Sequence, residues 1–506
     1  MAPQDRPSPH TLAPGRIGAA SIVCFALAAA NPFTAVATVV PGLYAHGILL
    51  VPLVFATLGV VLVLFSVGSV AMARRAPNAG ALYSSIARGL GRPVGVGSAW
   101  IALLSYNALQ ISLYGLAGAA AAPLLESWFG VRAQWWTVAA ACWLVVALCG
   151  IVRVEVVGGL LALMVVAEVA VLTGFGAANL LDPAAGRLTV DTLDPAPLSG
   201  VDRPVLGLLL IAGALAFAGF ETTAAYGEEA RGRRRALSRS AYGSVAVIAV
   251  LYAAMSWAMS VAAGPDKIVS AAADRGSELV FDLAAARLAP WAVMLGRVLL
   301  LTGLVAAMIS LHHTVARYMF ALGRERVLPS WLGRTSLRTS APRSASLTQS
   351  LIAALVIAGC VSFRLGPDTQ IFHRLGVGGA LGVLLLLLGA SLAALLFLNR
   401  NPDGENAWRR FLAPGLATVG LGTLVYLAYL NLPALLGVAP QDPLVRTVPA
   451  VFGAELVLGM LYAVVLRGAR PVVYAGIGLG GTAVVVSPNI PWPRAPGAHR
   501  PERIHR

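Results

Sequence analysis

Two carboxylates and a pair of histidines stand in stretches that carry almost nothing else polar. Glu221 lies in LAFAGFETTAAYGEEARGRRR (215–235) and is the only charged residue from Val205 to Gly227. Glu168 sits in LALMVVAEVAVLTGF (161–175), and His312 and His313 sit in MISLHHTVARY (308–318). A carboxylate in apolar surroundings holds a proton or pairs with an amine, and an imidazole titrates near neutral pH. Each group also has a plainer reading. Glu168 can bond to a neighbouring helix. Glu221 can sit in the first turn of a helix, where the positive dipole end suits an anion. A histidine is more often a satisfied polar residue.

Composition sets where these groups lie. The chain has 506 residues, 58% of them hydrophobic and 12% charged, with a mean hydropathy of +0.79. That much apolar surface needs lipid to cover it, so the chain is expected to be a polytopic membrane protein. Its apolar runs are about 20 residues long, which selects helices over a barrel. Twelve spans, α1 to α12, are expected near 17–40, 48–73, 94–121, 134–152, 156–180, 204–230, 237–263, 288–322, 345–363, 376–398, 411–433 and 449–467. Residues 1–16 read as a disordered tail without the pattern of a signal peptide. Residues 468–506 read as a C-terminal tail, and 471–487 as a short apolar stretch left unembedded.

The net charge of +15 does not indicate nucleic-acid binding, because the basic residues alternate with the apolar runs instead of forming one face. With the N-terminus in the cytoplasm, this count gives a three-to-one excess of arginine and lysine on the inner side, and places both termini there. Cys24, Cys142, Cys149 and Cys360 lie in apolar runs without metal-ligand spacing and read as packing residues. No metal or cofactor is expected. There is no G-x-x-x-x-G-K-[ST] loop, no H-E-x-x-H and no G-x-S-x-G, so neither an ATPase nor a membrane hydrolase is indicated.

Two spans carry interruptions. In α1, CFALAAANPFTAVATVV (24–40) has Asn31-Pro32 near its middle, and Pro32 removes a backbone donor. In α6, Gly219 precedes Glu221. The two breaks stand five spans apart, the spacing of a five-plus-five inverted repeat whose half-helices would face a ligand at mid-membrane.

Three stretches resemble the amino acid–polyamine–organocation permeases. PNAGALYSSIARGLGRPVGVGSAW (77–100) is similar to that family's P-x-x-G-x-x-Y…G loop into α3. FAGFETTAAYGEEARGRRRALSRS (217–240) is similar to its F-x-G-F-E…E-E run, and RYMFALGRERVLPSW (317–331) to the end of its α8. The resemblance implies an all-α, LeuT-like fold with discontinuous α1 and α6. Its first repeat is 17–203, its second 204–398, and α11–α12 occupy 399–467. It implies a secondary transporter in the cytoplasmic membrane moving an amino acid or related amine. Proton symport is favoured, with exchange or sodium coupling as alternatives. A transport-inactive receptor or a membrane enzyme is the rival from another class. The implied partners are a small-molecule substrate, protons and the lipid bilayer.

The resemblance also assigns residues. Ala30, Asn31, Pro32, Phe33 and Thr34 would offer amides and polar groups to a substrate. So would Phe217, Ala218, Gly219 and Phe220, with Phe217 or Phe220 as a lid. Asn107 and Gln110, three apart on α3, would read the substrate side chain. Glu168, Glu221, His312 and His313 are the candidates for proton coupling. The sequence departs from the family at AAANPFT, where many members have Gly-Ser-Gly, and at GRRRALSRS, which lacks the usual prolines.

Overall fold

A computed structural model of the chain describes residue 12 and residues 14–75, 79–196, 202–336, 339–402 and 404–480. Most of the expected N-terminal tail, Pro77 and Asn78 of the first motif, and 481–487 of the last apolar stretch lie outside the described residues. Among the described residues, eleven helices are long and apolar enough to cross a membrane: α1 (Ala19–Ala45), α2 (Val51–Arg75), α3 (Arg92–Phe129), α5 (Val154–Leu181), α6 (Arg203–Tyr226), α7 (Arg234–Ala263), α8 (Pro290–Arg324), α9 (Arg343–Ser362), α10 (Pro367–Arg400), α11 (Trp408–Leu430) and α12 (Leu444–Ala469). The segment expected as α4 is an apolar helix of 16 residues, Trp135–Gly150. At 1.5 Å per residue it is about 24 Å long, short of a ~30 Å hydrocarbon core.

The helices are apolar around most of their surface, because lipid and protein both accept such a face. Leu148, Leu163, Val166, Leu355, Val419 and Val465 are exposed and form part of the surface that lipid would cover. Burial separates the centre from the edge: 83% of the apolar window of α1 is buried, against 17% for α12. α1 packs against α5, α6, α7 and α8, and α2 lies along α7. α12 leans on α3 through small residues; a Cβ on Gly97 would come within 2.6 Å of the Leu456 carbonyl oxygen. The two backbones therefore touch.

Short helices fill the connections: Ala81–Gly89 before α3, and Ile268–Arg275 and Leu279–Ala285 between α7 and α8. The first buries Leu82, Tyr83, Ile86 and Ala87 on one face. After α12 the chain turns into a short helix, Pro471–Gly476.

Candidate functional site

α1 is broken at one residue. Helix Ala19–Ala30 ends at Asn31, whose backbone is left-handed (φ 48°, ψ 70°), and a second half-helix starts at Pro32. The Asn31 N–H still closes the first half, donating to the Leu27 and Ala28 carbonyls at 2.9 and 3.1 Å. Pro32 has no N–H to give. The Phe33 N–H is the first amide of the second half, and it donates to Glu168 Oε1 at 2.6 Å. The amide expected to meet a substrate carboxylate thus holds a carboxylate of α5, placed where the half-helix dipole is positive.

α6 is broken over Ala216–Gly219, between helix Arg203–Leu215 and a 3₁₀ turn at Phe220–Tyr226. Gly219 has φ +118°, and a Cβ there would lie 2.6 Å from the Ala29 carbonyl carbon and the Ala30 nitrogen. Only glycine allows both the conformation and the contact, so the two breaks touch through backbone. Glu221 closes the gap in its own helix: its Oε2 accepts the Gly219 N–H at 2.9 Å, and its Oε1 accepts the Tyr106 hydroxyl at 3.0 Å. Tyr252 of α7 joins the breaks, its hydroxyl lying 3.4 Å from the Ala30 oxygen and 3.2 Å from the Ala216 oxygen.

The two carboxylates are partnered differently. Both oxygens of Glu221 accept hydrogen bonds. Glu168 is 1% exposed, and its Oε2 has no partner among the described residues. Neither side-chain atom of Asn31 has one, nor does the Thr34 hydroxyl. Glu168 Oε2 and Asn31 Oδ1 converge on Gly303 of α8, at 3.1 and 3.3 Å from where its Cβ would stand. A cluster of buried polar atoms without partners costs free energy, and a proton, a water or a ligand relieves it.

A cavity of about 350 Å³ opens from the breaks toward the loop that joins α1 to α2. Of the residues singled out from sequence, Ala30, Asn31, Thr34 and Ala218 line it. Phe33 does not; it stacks on Phe281 with ring centres 5.8 Å apart. Phe217 packs against Phe55 and Tyr252, and Phe220 against Phe65, all inside the protein. Asn107 and Gln110 also face away. Gln349 of α9 donates to both, at 2.7 and 2.8 Å, an interhelical clasp. The wall on α3 is instead Leu109, Ser112 and Leu113. That face was open to recognition as the i, i+3, i+4 set beside Gln110. Phe372 and His373, also in the wall, come from a π-helical stretch, Pro367–Leu375, that no sequence pattern marks.

On the other side of the breaks the molecule is shut. Arg317 of α8 grips Glu229 at 2.7 and 3.0 Å, and Arg324 grips Glu228, with a 2.9 Å contact. Both arginines are at most 3% exposed, and the Arg317 guanidinium lies 4.3 Å over the Tyr226 ring. α8 tucks its end under α6 and buries these charges. A backbone bridge between Ile17 and Ala230 closes the same seam. His313 Nδ1 lies 3.2 Å from Arg317 in this network, and His312 Nε2 lies 2.9 Å from the Ser346 hydroxyl of α9. Neither imidazole lines the cavity.

Paired broken helices, a cavity on one side and a buried ion-pair seal on the other define a multi-pass membrane transporter of the LeuT-like fold. A solved structure of a Na⁺-coupled sialic acid symporter, substrate-bound and outward-open, shares that fold with a TM-score of 0.54 at 11% identity, covering 83% of this chain and 90% of the other. The amino acid permease family model matches residues 18–466, and the chain belongs to that family. Uncharacterized transporters of Mycobacterium tuberculosis and Mycobacterium bovis are each 33% identical over 168 residues, which is 33% of this chain and 37% of theirs. Cationic amino acid transporter 7, chloroplastic, of Arabidopsis thaliana is 28% identical over 148 residues, 28% of this chain and 24% of its own. The matched stretch thus spans well under half the length of these relatives.

Proposed function

We propose that the protein is a proton-coupled permease for an amino acid or related amine. It works in the cytoplasmic membrane with both termini inside, and Trp135–Gly150 counts as its fourth span. The observation that carries this reading is the Glu168 contact: one carboxylate oxygen holds the first amide of the second half of α1, and the other is buried without a partner among the described residues. A proton on Glu168 changes what that amide meets. It therefore acts on the α1 break, which borders the cavity. Glu221 is the second candidate, but its two oxygens are engaged in holding the α6 break together. Sodium coupling of the same fold would call on hydroxyls of α8 near α1. Ser310 donates to the Phe25 carbonyl at 2.6 Å and Thr314 to the Ser310 carbonyl at 3.0 Å, which uses both protons and leaves the oxygens as acceptors, so the imposed gradients below decide between the two ions.

The test is uptake and exchange of a mixed amino-acid panel in proteoliposomes, with imposed proton or sodium gradients. Accumulation is expected with the proton gradient. Glu168→Gln should keep substrate exchange and lose the response to that gradient, whereas Glu221→Gln should retain it. The opposite pattern moves the proton to Glu221. Accumulation that follows only sodium defeats proton coupling, and a protein that neither takes up nor exchanges any amino acid defeats the permease reading.

A further inference from the structure

The walls of the cavity define the substrate more narrowly. Its buried polar atoms without partners among the described residues gather at the α1 break, on the Asn31 side chain and the Thr34 hydroxyl. Beyond them the wall is mostly hydrocarbon, with Leu113, Leu208, Ala212, Leu215, Leu311 and Val377, and the Thr38 and Ser112 hydroxyls that also line it donate to backbone carbonyls of their own helices. Among the described residues no aspartate, glutamate, lysine or arginine lines the cavity. Neither carboxylate near the breaks lines it: both Glu221 oxygens are taken by Gly219 and Tyr106, and Glu168 gives one oxygen to the Phe33 amide and buries the other. The remaining side chains in the wall that can carry charge are His46 and His373, and neither offers a negative group to a cationic side chain.

We propose that the substrate is an α-amino acid with a neutral, apolar side chain of the leucine or phenylalanine class. Its zwitterionic end sits at Asn31 and Thr34, and its side chain lies against α3, α6 and α10. The proposal rests on the permease reading above. A substrate must be occluded before it crosses, and occlusion strips water from its side chain. A hydrocarbon wall accepts a leucine or phenylalanine at no cost in polar contacts, whereas an unpaired charge there is strongly disfavoured. The cavity, about 350 Å³, is within the usual size of a small-molecule site. Two alanines, Ala212 and Ala216, keep the wall nearest the break thin and leave room for a bulky side chain.

The wild-type chain in proteoliposomes, preloaded and challenged with leucine, phenylalanine, lysine, arginine and glutamate, tests this by counterflow. Leucine or phenylalanine should exchange at least about 100-fold more effectively than the three charged amino acids, the discrimination expected for an uncompensated charge in an apolar site. Lysine, arginine or glutamate exchanging as well as leucine overturns the apolar class and leaves the permease reading standing. No exchange with any of the five overturns the apolar class, and failure to exchange across the wider panel above overturns the permease reading as well.

A separate contact lies on the sealed side. The segment after α12 folds back over the end of α8 and over helix Ala81–Gly89. The Gly478 and Gly480 amides donate to the two oxygens of Glu325 at 3.0 and 2.7 Å. The Tyr83 hydroxyl donates to the same carboxylate and accepts from Gly478 N–H at 3.0 Å. Arg88 reaches the Gly478 carbonyl and Arg92 the Ala475 carbonyl, each at 3.1 Å. Glu228, which grips Arg324 of α8, also accepts the Ala79 N–H just before Ala81–Gly89. The tail segment and the ion-pair seal therefore clamp the same two elements.

We infer that Pro471–Gly480 is a strap that holds the sealed side shut and slows transport. Gly478→Ala tests it, since φ there is +78° and a Cβ would lie 2.9 Å from the Ala87 Cβ. Deletion of residues 471–506 is the second variant. Both should raise the initial rate of exchange about 5-fold or more, the range of ordinary coupling energies. A rate unchanged or lowered in both variants overturns the strap.

Discussion

At the scale of single residues, the contact between the two breaks depends on one missing side chain. Gly219 lets α6 meet the Ala29–Ala30 peptide at backbone distance, and the Glu221 carboxylate is bound to its N–H. A methyl group at 219 would collide with backbone, which cannot swing aside as a side-chain tip does, and would need a φ that alanine disfavours. Gly219→Ala should therefore abolish exchange and lower stability by about 2 kcal/mol or more, read as a fall in the thermal unfolding midpoint in detergent. Gly174→Ala is the control. Gly174 lies within α5 with nothing within 4 Å of where a methyl would stand, and the same substitution there should hold or slightly raise the midpoint. Equal losses at the two positions would mean that Gly219 is only a helix glycine. The position of this residue and of Glu221 was legible in the sequence, because a glycine and a lone charge interrupt an apolar run. Their partners were not. Tyr106 lies 115 positions from Glu221, and Phe33 lies 135 from Glu168, so each bond exists only once helices are packed.

At the scale of elements, hydropathy finds helices and is blind to their neighbours. α1 and α12 are both apolar runs of similar length, yet one is the most buried span and the other the least. Lipid and protein interior select the same side chains, so a run of leucine and alanine does not say which it faces. For that reason Asn107 and Gln110 could be recognised as a polar pair on one face of α3 but not assigned a partner; it is Gln349 of α9 that turns them away from the cavity. Local backbone departures hid in the same way. A π-helical stretch rotates Phe372 and His373 into the wall, and another follows the α1 break at Ala35–Val39. The Pro32 interruption itself was plain, because proline states its backbone demand in its own chemistry. The short helix Ala81–Gly89 is amphipathic and too brief to read as a span, although it carries the tyrosine of the first family motif.

At the scale of the whole molecule, one side of the breaks is open and the other is closed. Charge predicts which side faces outward. The sealed end carries the arginine-rich turn at Arg231–Arg235 and the arginine-rich end of α8, and the open end carries the α1–α2 loop with no arginine or lysine from Ile17 to Met72. Positive charge is retained in the cytoplasm, so the cavity should face out and the ion-pair seal should face in. Thr38 lines the cavity and Arg231 is exposed beyond the seal, which makes them opposite reporters. In a chain whose four cysteines are replaced, Thr38→Cys should react with a membrane-impermeant maleimide on intact cells, and a saturating amino-acid substrate should slow that reaction. Arg231→Cys should react only after permeabilisation. The reversed pattern would turn the molecule over in the membrane, and with it the direction in which a proton reaching Glu168 would drive the substrate.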